Sequence, residues 1–272
     1  MKLFIIYRNR ILKFLDNPIA FFPFIRKKLF YNFISDLYIQ SYDKYSFLDY
    51  SQTLKKSLHE NVSIIRFGDE VIDMTLGIRL YFNDWRQKYE KNLSKRLKEI
   101  LQTREKNILL CFNPELILKN KKAFKDLGIK NEHQFWTHSK VYLKKYLQED
   151  QIYGRALTFH PRYNKSLNIA EIIFHLKKKH LIIVTSNTER FNNAQLGITT
   201  HYIEAPSSDA WSKYETLLKQ TLSAAKKTKK NETLVLSSMG PAAKVLIYDL
   251  NKLGYTGWDT GQFFDLMLDQ IL

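Results

Sequence analysis

A single cysteine, Cys111, stands in 272 residues. That excludes an intramolecular disulfide and any cysteine-built zinc cluster, and it suits a reducing cytoplasm. Cys111 lies in the apolar run Ile108-Leu109-Leu110-Cys111-Phe112, so it reads as a buried structural thiol. Long hydrophobic runs are also missing: no stretch approaches the roughly 20 residues of a membrane span. The N-terminus has no long apolar core with a cleavage site, so no signal peptide is expected. Internal repeats, low-complexity linkers and Gly/Ser-rich boundaries are absent. Acidic residues are scarce, 27 against 43 Lys and Arg, for a net charge of +16. Such an excess calls for an anionic partner: nucleic acid, a phosphorylated small molecule or an acidic membrane surface. The lysines are dispersed, and the clusters Lys177–Lys179 and Lys226–Lys230 fall where helix C-termini are expected, as solvated caps. No DNA- or RNA-binding motif occurs, so nucleic acid is not the expected partner.

What is present is a globular composition, 44% hydrophobic and 14% aromatic, in a chain long enough for one large α/β domain. Residues 1–40 carry Lys2, Arg8, Arg10, Lys13, Arg26, Lys27 and Lys28 against Asp16 and Asp36, a net of +5, among many Phe, Ile and Leu. Residues 1–44 therefore read as a basic amphipathic helical arm. It either lies on an anionic membrane face or packs against the core. From residue 45 to 272 the chain alternates strand-like and helix-like segments. Strands are expected at 62–67, 107–112, 155–159, 181–185, 200–204, 233–238 and 256–259. The clearest helices are 209–225 and 241–253, the second opening on Pro241 and closing before Gly254. Apolar strands separated by amphipathic helices imply an α/β fold, with a mostly parallel, Rossmann-like sheet covered on both faces.

In such sheets ligands bind beyond the carboxyl ends of the strands. Four expected strand ends carry suitable residues. The first is Arg66-Phe67-Gly68-Asp69-Glu70-Val71-Ile72-Asp73, where a β-branched run stops at a glycine and acids follow. Asp69 there is either a ligand-orienting carboxylate or a plain helix N-cap. Asp73 is either a candidate base or a solvent-facing helical residue. The second end is Thr158-Phe159-His160-Pro161-Arg162-Tyr163, and the third runs from Thr185 through Asn187 to Glu189-Arg190. The fourth is Ser237-Ser238-Met239-Gly240-Pro241, opening a helix with Lys244 one turn in. Free backbone N–H groups at that helix start form a candidate phosphate site, with tight helix–strand packing as the alternative.

Together these residues resemble the bacterial GT-D fold glycosyltransferases, over roughly residues 45 to 264. That family's turn reads Arg-Phe-Gly-Asp-Gly-Glu with a glycine shortly after, where this chain has Arg66-Phe67-Gly68-Asp69-Glu70-Val71 and Gly77. Its Pro-Ser…Asn-Ala-Phe…Tyr segment is similar to Pro206-Ser207-Ser208-Asp209-Ala210-Trp211 and Tyr214. Its Gly-Pro-Thr-Ala…Val-Leu…Tyr-Asp-Leu…Leu-Gly-Tyr run and following Asp-Ile-Gly-His resemble Gly240-Pro241-Ala242-Ala243, Val245-Leu246, Tyr248-Asp249-Leu250, Leu253-Gly254-Tyr255 and Asp259-Thr260-Gly261-Gln262.

The resemblance implies a GT-D type sheet and a hexosyl transfer from a nucleotide-sugar donor, a UDP-sugar, to a glycan or glycoprotein acceptor in bacterial surface-glycan or glycoprotein assembly. It implies a cytoplasmic enzyme, peripheral to the inner membrane face where the arm makes contact. Arg66, Gly68, Arg190, Ser207, Gly240, Pro241 and Lys244 become the donor-binding candidates. Asp69, Glu70, His160 and Asp259 become the catalytic ones. The family's Asp-x-Glu pair is thought to hold Mn²⁺ or Mg²⁺ on the donor diphosphate. Here Asp69 is kept, Val71 occupies the Glu position, and Glu70 is the one neighbouring acid. Two further departures are His160 where the family has arginine before a proline, and Gln262 where it has histidine. The alternative these departures raise is a catalytically impaired GT-D fold protein that binds nucleotide or glycan for another transferase.

Overall fold

The computed structural model describes residues 30–77, 87–128, 132–161, 163–165, 167–188 and 200–261. Arg190, Gln262 and residues 1–29 of the arm lie outside them. Eight parallel strands form one sheet: β1 (Ser46–Phe47), β2 (Ser63–Arg66), β3 (Ile108–Phe112), β4 (Ile152–Arg155), β5 (His180–Thr185), β6 (Thr200–Glu204), β7 (Thr233–Ser238) and β8 (Thr256–Asp259). Their order across the sheet is β1-β4-β3-β2-β8-β7-β5-β6. The helices among the described residues include α1 (Tyr50–His59), α2 (Asp69–Thr75), α3 (Lys91–Leu101), α4 (Pro114–Ile117), α5 (Lys121–Asp126), α6 (His133–Tyr142), α7 (Ile169–Leu176), α8 (Tyr214–Ala225) and α9 (Pro241–Lys252).

The strands are apolar throughout because the sheet is covered on both sides. Alternate residues divide between two clusters. Ile65, Leu110, Phe112, Ile182, Val184 and Val235 enter one. Ile64, Leu109, Cys111, Leu181, Ile183 and Leu236 enter the other. Cys111 is fully buried, and burial raises its thiol pKa, as a structural role requires. Among the described residues no helix is long and apolar enough to cross a membrane.

Two expected elements shift, and one short strand appears that the sequence did not indicate. The fourth strand is Ile152–Arg155 rather than 155–159; after Ala156 the chain turns, with Thr158 N donating to Arg155 O and His160 N to Leu157 O. Gly154 masks this strand in the sequence, yet the sheet needs it, because a Cβ there would sit 2.6 Å from Cys111 Sγ. β1 spans two residues, too short to leave a pattern. The helix expected at 209–225 begins as a 3₁₀ turn, Ala210–Lys213, because Asp209 adopts a left-handed backbone with φ 53°. Continuous α-helix starts only at Tyr214.

The described part of the arm is a helical turn, Asn32–Ile34, running into a 3₁₀ helix, Ser35–Tyr42. Its inner face is pinned to α6. Tyr42 Oη donates to Ser139 O at 2.6 Å. Asp36 accepts from Lys140 Nζ at 2.6 Å and from Lys121 N at 2.7 Å, and lies 3.0 Å from His133 Nε2. Burial lowers the pKa of Lys140, while Asp36 pulls it the other way.

His175, at the end of α7, stacks on Trp258 with ring centroids 5.8 Å apart. Burial, then Lys179, His59 and Lys178, push its pKa from 6.5 down to about 4. The unfolded chain therefore takes up this proton first as pH falls. Stability from this group is present above about 6.5 and is lost progressively down to about 4. Urea titrations at several pH values should show a slope in that window that His175→Gln flattens. An unchanged slope would assign acid sensitivity to other groups.

Candidate functional site

β2 ends at Arg66, and Phe67 N still donates to Cys111 O of β3 at 2.8 Å. Gly68 then serves as the N-cap of α2 in an extended conformation, so Asp69 is the first helical residue and not the cap. Asp69 and Glu70 occupy the first turn, where carboxylates oppose the positive end of the helix dipole. A Cβ added at Gly68 would lie 2.5 Å from Glu70 Oε2. The Glu70 side chain is therefore folded back over Gly68, towards the strand end. Val71 points the other way: it is 1% exposed and belongs to the hydrophobic core. Asp73 does not face solvent as one reading had it. Its Oδ1 lies 2.8 Å from His138 Nδ1, both side chains buried, because this fifth residue of α2 faces α6.

The neighbouring strand end locks Arg66. Asp259, at the close of β8, is 1% exposed and accepts Arg66 N at 3.2 Å and Lys244 Nζ at 2.8 Å through Oδ2. Arg66 Nη1 donates to Ala156 O, beyond β4, at 2.9 Å. Its guanidinium crosses Gly261: a Cβ there would stand 1.8 Å from Arg66 Nη2, and Gly261 has φ +55°. Lys244 also donates to Gly240 O at 3.3 Å. Its ammonium is thus taken up within the fold and holds α9 against β8, instead of standing free for a ligand.

The end of β7 turns into α9 at Gly240, with φ 63° and ψ −140°. That backbone is strained for any other residue. A Cβ at Gly240 would meet nothing within 4 Å, so open space lies over the start of a 12-residue helix. Pro241 occupies the first helical position, where no N–H is needed. Beside it Ser238 Oγ donates to Thr185 Oγ1 at 2.9 Å, joining the ends of β7 and β5. Ser237 Oγ and Arg66 Nε are buried and have no hydrogen-bond partner among the described residues. Such buried groups call for a partner that the described residues do not supply.

Arg66, Gly68, Asp69, Glu70, Gly240, Pro241, Lys244 and Asp259 thus converge on the ends of β2, β8 and β7, which adjoin at the centre of the sheet. His160 follows β4 and packs edge-on against Tyr163, ring centroids 4.9 Å apart. Ser207 is exposed in the loop after the edge strand β6. Just beyond it, Gln87 Nε2 donates to Asp209 Oδ1 at 2.6 Å and Trp211 N donates to Gln87 Oε1 at 3.1 Å. Asp249, part of the Tyr-Asp-Leu motif, is bound by Tyr214 and Arg96 and ties α8 and α3 to α9. Asn113 was not foreseen. It follows β3 directly, is buried, and its Oδ1 has no partner among the described residues. Its signal is the dipeptide Asn113-Pro114 at the end of an apolar run.

The carboxylates that could meet a hard cation are few. Asp259 is already neutralised by Lys244, and Asp73 is buried against His138. Among the described residues no group of three or more His, Cys, Asp or Glu side chains could hold a metal ion. Asp69 and Glu70 share the first turn of α2, and their carboxylate oxygens are the donor type suited to a cation otherwise held by diphosphate and water.

Comparison with known proteins gives one consistent result. The family described as glycosyltransferase GT-D fold matches residues 64–265. A probable glycosyl transferase, Gly, of Streptococcus gordonii is 27% identical over 233 residues, which is 79% of this chain and 32% of the relative. The glycosyltransferase GlyD of Streptococcus pneumoniae serotype 4 is 26% identical over 226 residues, 77% of this chain and 26% of the relative. The chain spans only about a third or less of those two proteins. A solved structure of the domain of unknown function 1792, described as a distinct glycosyltransferase fold, superposes with TM-score 0.70 at 23% identity, covering 85% of this chain and 83% of that one. A glycosyltransferase of the same type from Streptococcus sanguinis superposes with TM-score 0.62 at 25% identity, covering 82% and 83%.

Proposed function

The chain belongs to the glycosyltransferase GT-D fold family, and on that footing we propose that it moves a hexosyl group from a UDP-sugar to a glycan or glycoprotein acceptor in bacterial surface-glycan or glycoprotein assembly. A nucleotide-sugar donor implies a cytoplasmic reaction. The observation that carries this reading is the open backbone cradle at Gly240, next to the strand ends bearing Arg66 and Asp69. Glycosyl transfer develops negative charge on the departing diphosphate, and preorganised donors aimed at that charge lower the barrier. At the start of α9 Pro241 has no N–H and Ala243 N donates to Gly240 O at 3.2 Å, so the backbone donors left for that charge are the N–H groups of Gly240 and Ala242, and Arg190 is the sequence's candidate for another. Arg66 is fixed from three sides beside that cradle. Asp69 orients the nucleotide. A divalent cation, if used, would be held by Asp69 and Glu70 and would neutralise diphosphate charge. The ion pair of Asp259 and the burial of Asp73 leave Glu70 and His160 as partly exposed acid–base candidates.

Nucleotide release from a panel of UDP-, GDP- and TDP-sugars, with and without Mn²⁺, tests the reading. Release from a UDP-sugar is expected. UDP binding without release from any donor would instead mark a nucleotide-binding partner of another transferase.

The second acid can be tested separately. Val71 lies in the core, so Val71→Glu is expected to destabilise by about 3 kcal/mol or more rather than to create a ligand. Glu70→Gln should abolish any Mn²⁺ response of UDP binding measured by calorimetry. A Mn²⁺ response that survives Glu70→Gln would show that Glu70 does not replace the family's glutamate.

A further inference from the structure

The arm's inner face is buried, yet its outer face is apolar too. Tyr31, Ser35 and Tyr42 are buried, while Phe30, Phe33 and Leu37 stand 51%, 74% and 80% exposed. The three recur at i, i+3 and i+7, a single stripe along the helical segment. A helix apolar on both faces normally lies inside a protein or meets another apolar phase. The stripe has a cationic rim. Lys121 Nζ sits 5.6 Å from the Phe33 ring centroid, and Lys144 Nζ sits 4.3 Å from that of Tyr38. Lys122 and Lys125 are exposed on the same short helix as Lys121. In sequence, residues 1–29 add seven basic residues against one acidic.

We propose that this face docks on an anionic lipid surface, with Phe33 and Leu37 entering the acyl boundary and the lysine rim meeting headgroup phosphates. Binding of this kind scales with buried apolar area plus attraction to anionic lipid. A second copy is the poorer occupant. A two-fold contact would bring each lysine rim against its own kind, in chains that each carry +16. The ion pair of Asp36 with Lys140 and its hydrogen bond from the Lys121 backbone N–H hold the inner face, so the outer residues can be changed without unpinning the arm. This inference is independent of the transferase reading.

The test is sedimentation of the full chain with phosphatidylcholine vesicles, with and without phosphatidylglycerol, beside a Phe33→Ser/Leu37→Ser variant. The wild type should sediment with the anionic vesicles only. The double variant should bind them at least about tenfold more weakly at an unchanged melting temperature. Equal binding by the variant would overturn the proposal, since charge alone would then carry attachment. Absence of wild-type binding would overturn it as well. So would a concentration-dependent dimer, seen by analytical ultracentrifugation, that the variant abolishes in the absence of vesicle binding.

Discussion

Asp69→Asn should lower donor turnover by about a hundredfold or more, while the melting temperature moves by no more than about 3 °C. The substitution removes one charge and keeps the volume. Asp69 is the first residue of α2, and a carboxylate in that turn contributes only about 0.3–1 kcal/mol to the helix. Its loss therefore shows in stability only weakly. In the proposed reaction the same carboxylate sets the position of the diphosphate, directly or through a cation. A charge in that place acts most where leaving-group charge develops, so the loss falls on turnover. Steady-state nucleotide release and thermal melts on the same preparation decide the matter. Wild-type turnover would remove Asp69 from the site, and a melting temperature lower by about 10 °C would make it a structural residue instead.

The sheet was legible because its strands obey two simple patterns. Ile64-Ile65, Leu109-Leu110 and Ile182-Ile183 are apolar at every position, as strands buried on both faces must be. The Gly240-Pro241 start of α9 was legible for the same kind of reason, a local backbone requirement written in residue type. The fourth strand was misplaced because Gly154 weakens its pattern, and the cause is a contact with Cys111 across the sheet that local sequence does not reveal. The site divided likewise. The Arg66–Glu70 turn could be found as a motif. The direction of its side chains could not: Glu70 folds back over Gly68 while Val71 enters the core, as the helical rotation after Gly68 dictates. Lys244 looked like a phosphate ligand one turn into a helix. Its capture by Asp259, 15 positions on, depends on tertiary pairing of β8 with β7.

That capture leads to the largest expected change in stability. Asp259→Asn should lower the melting temperature by about 10 °C, corresponding to about 3–5 kcal/mol. Asp259 is 1% exposed and Lys244 is 5% exposed, so neutralising the acid leaves the ammonium buried without its counter-charge. Breaking one side of such a pair costs far more than the pair itself contributes, because desolvation of the survivor is no longer offset. The backbone N–H of Arg66 also loses its charged acceptor. Replacing both partners, Asp259→Asn with Lys244→Met, removes the orphaned charge and should recover most of the lost stability. Turnover should not recover in parallel, because Arg66 remains without the carboxylate that fixes it over Gly261. Chemical denaturation of the two variants, read beside their nucleotide release, separates the two roles. A single variant as stable as wild type would mean that the ammonium finds another partner. A double variant with full activity would mean that Asp259 only balances Lys244, and that Arg66 is held well enough by Ala156 alone.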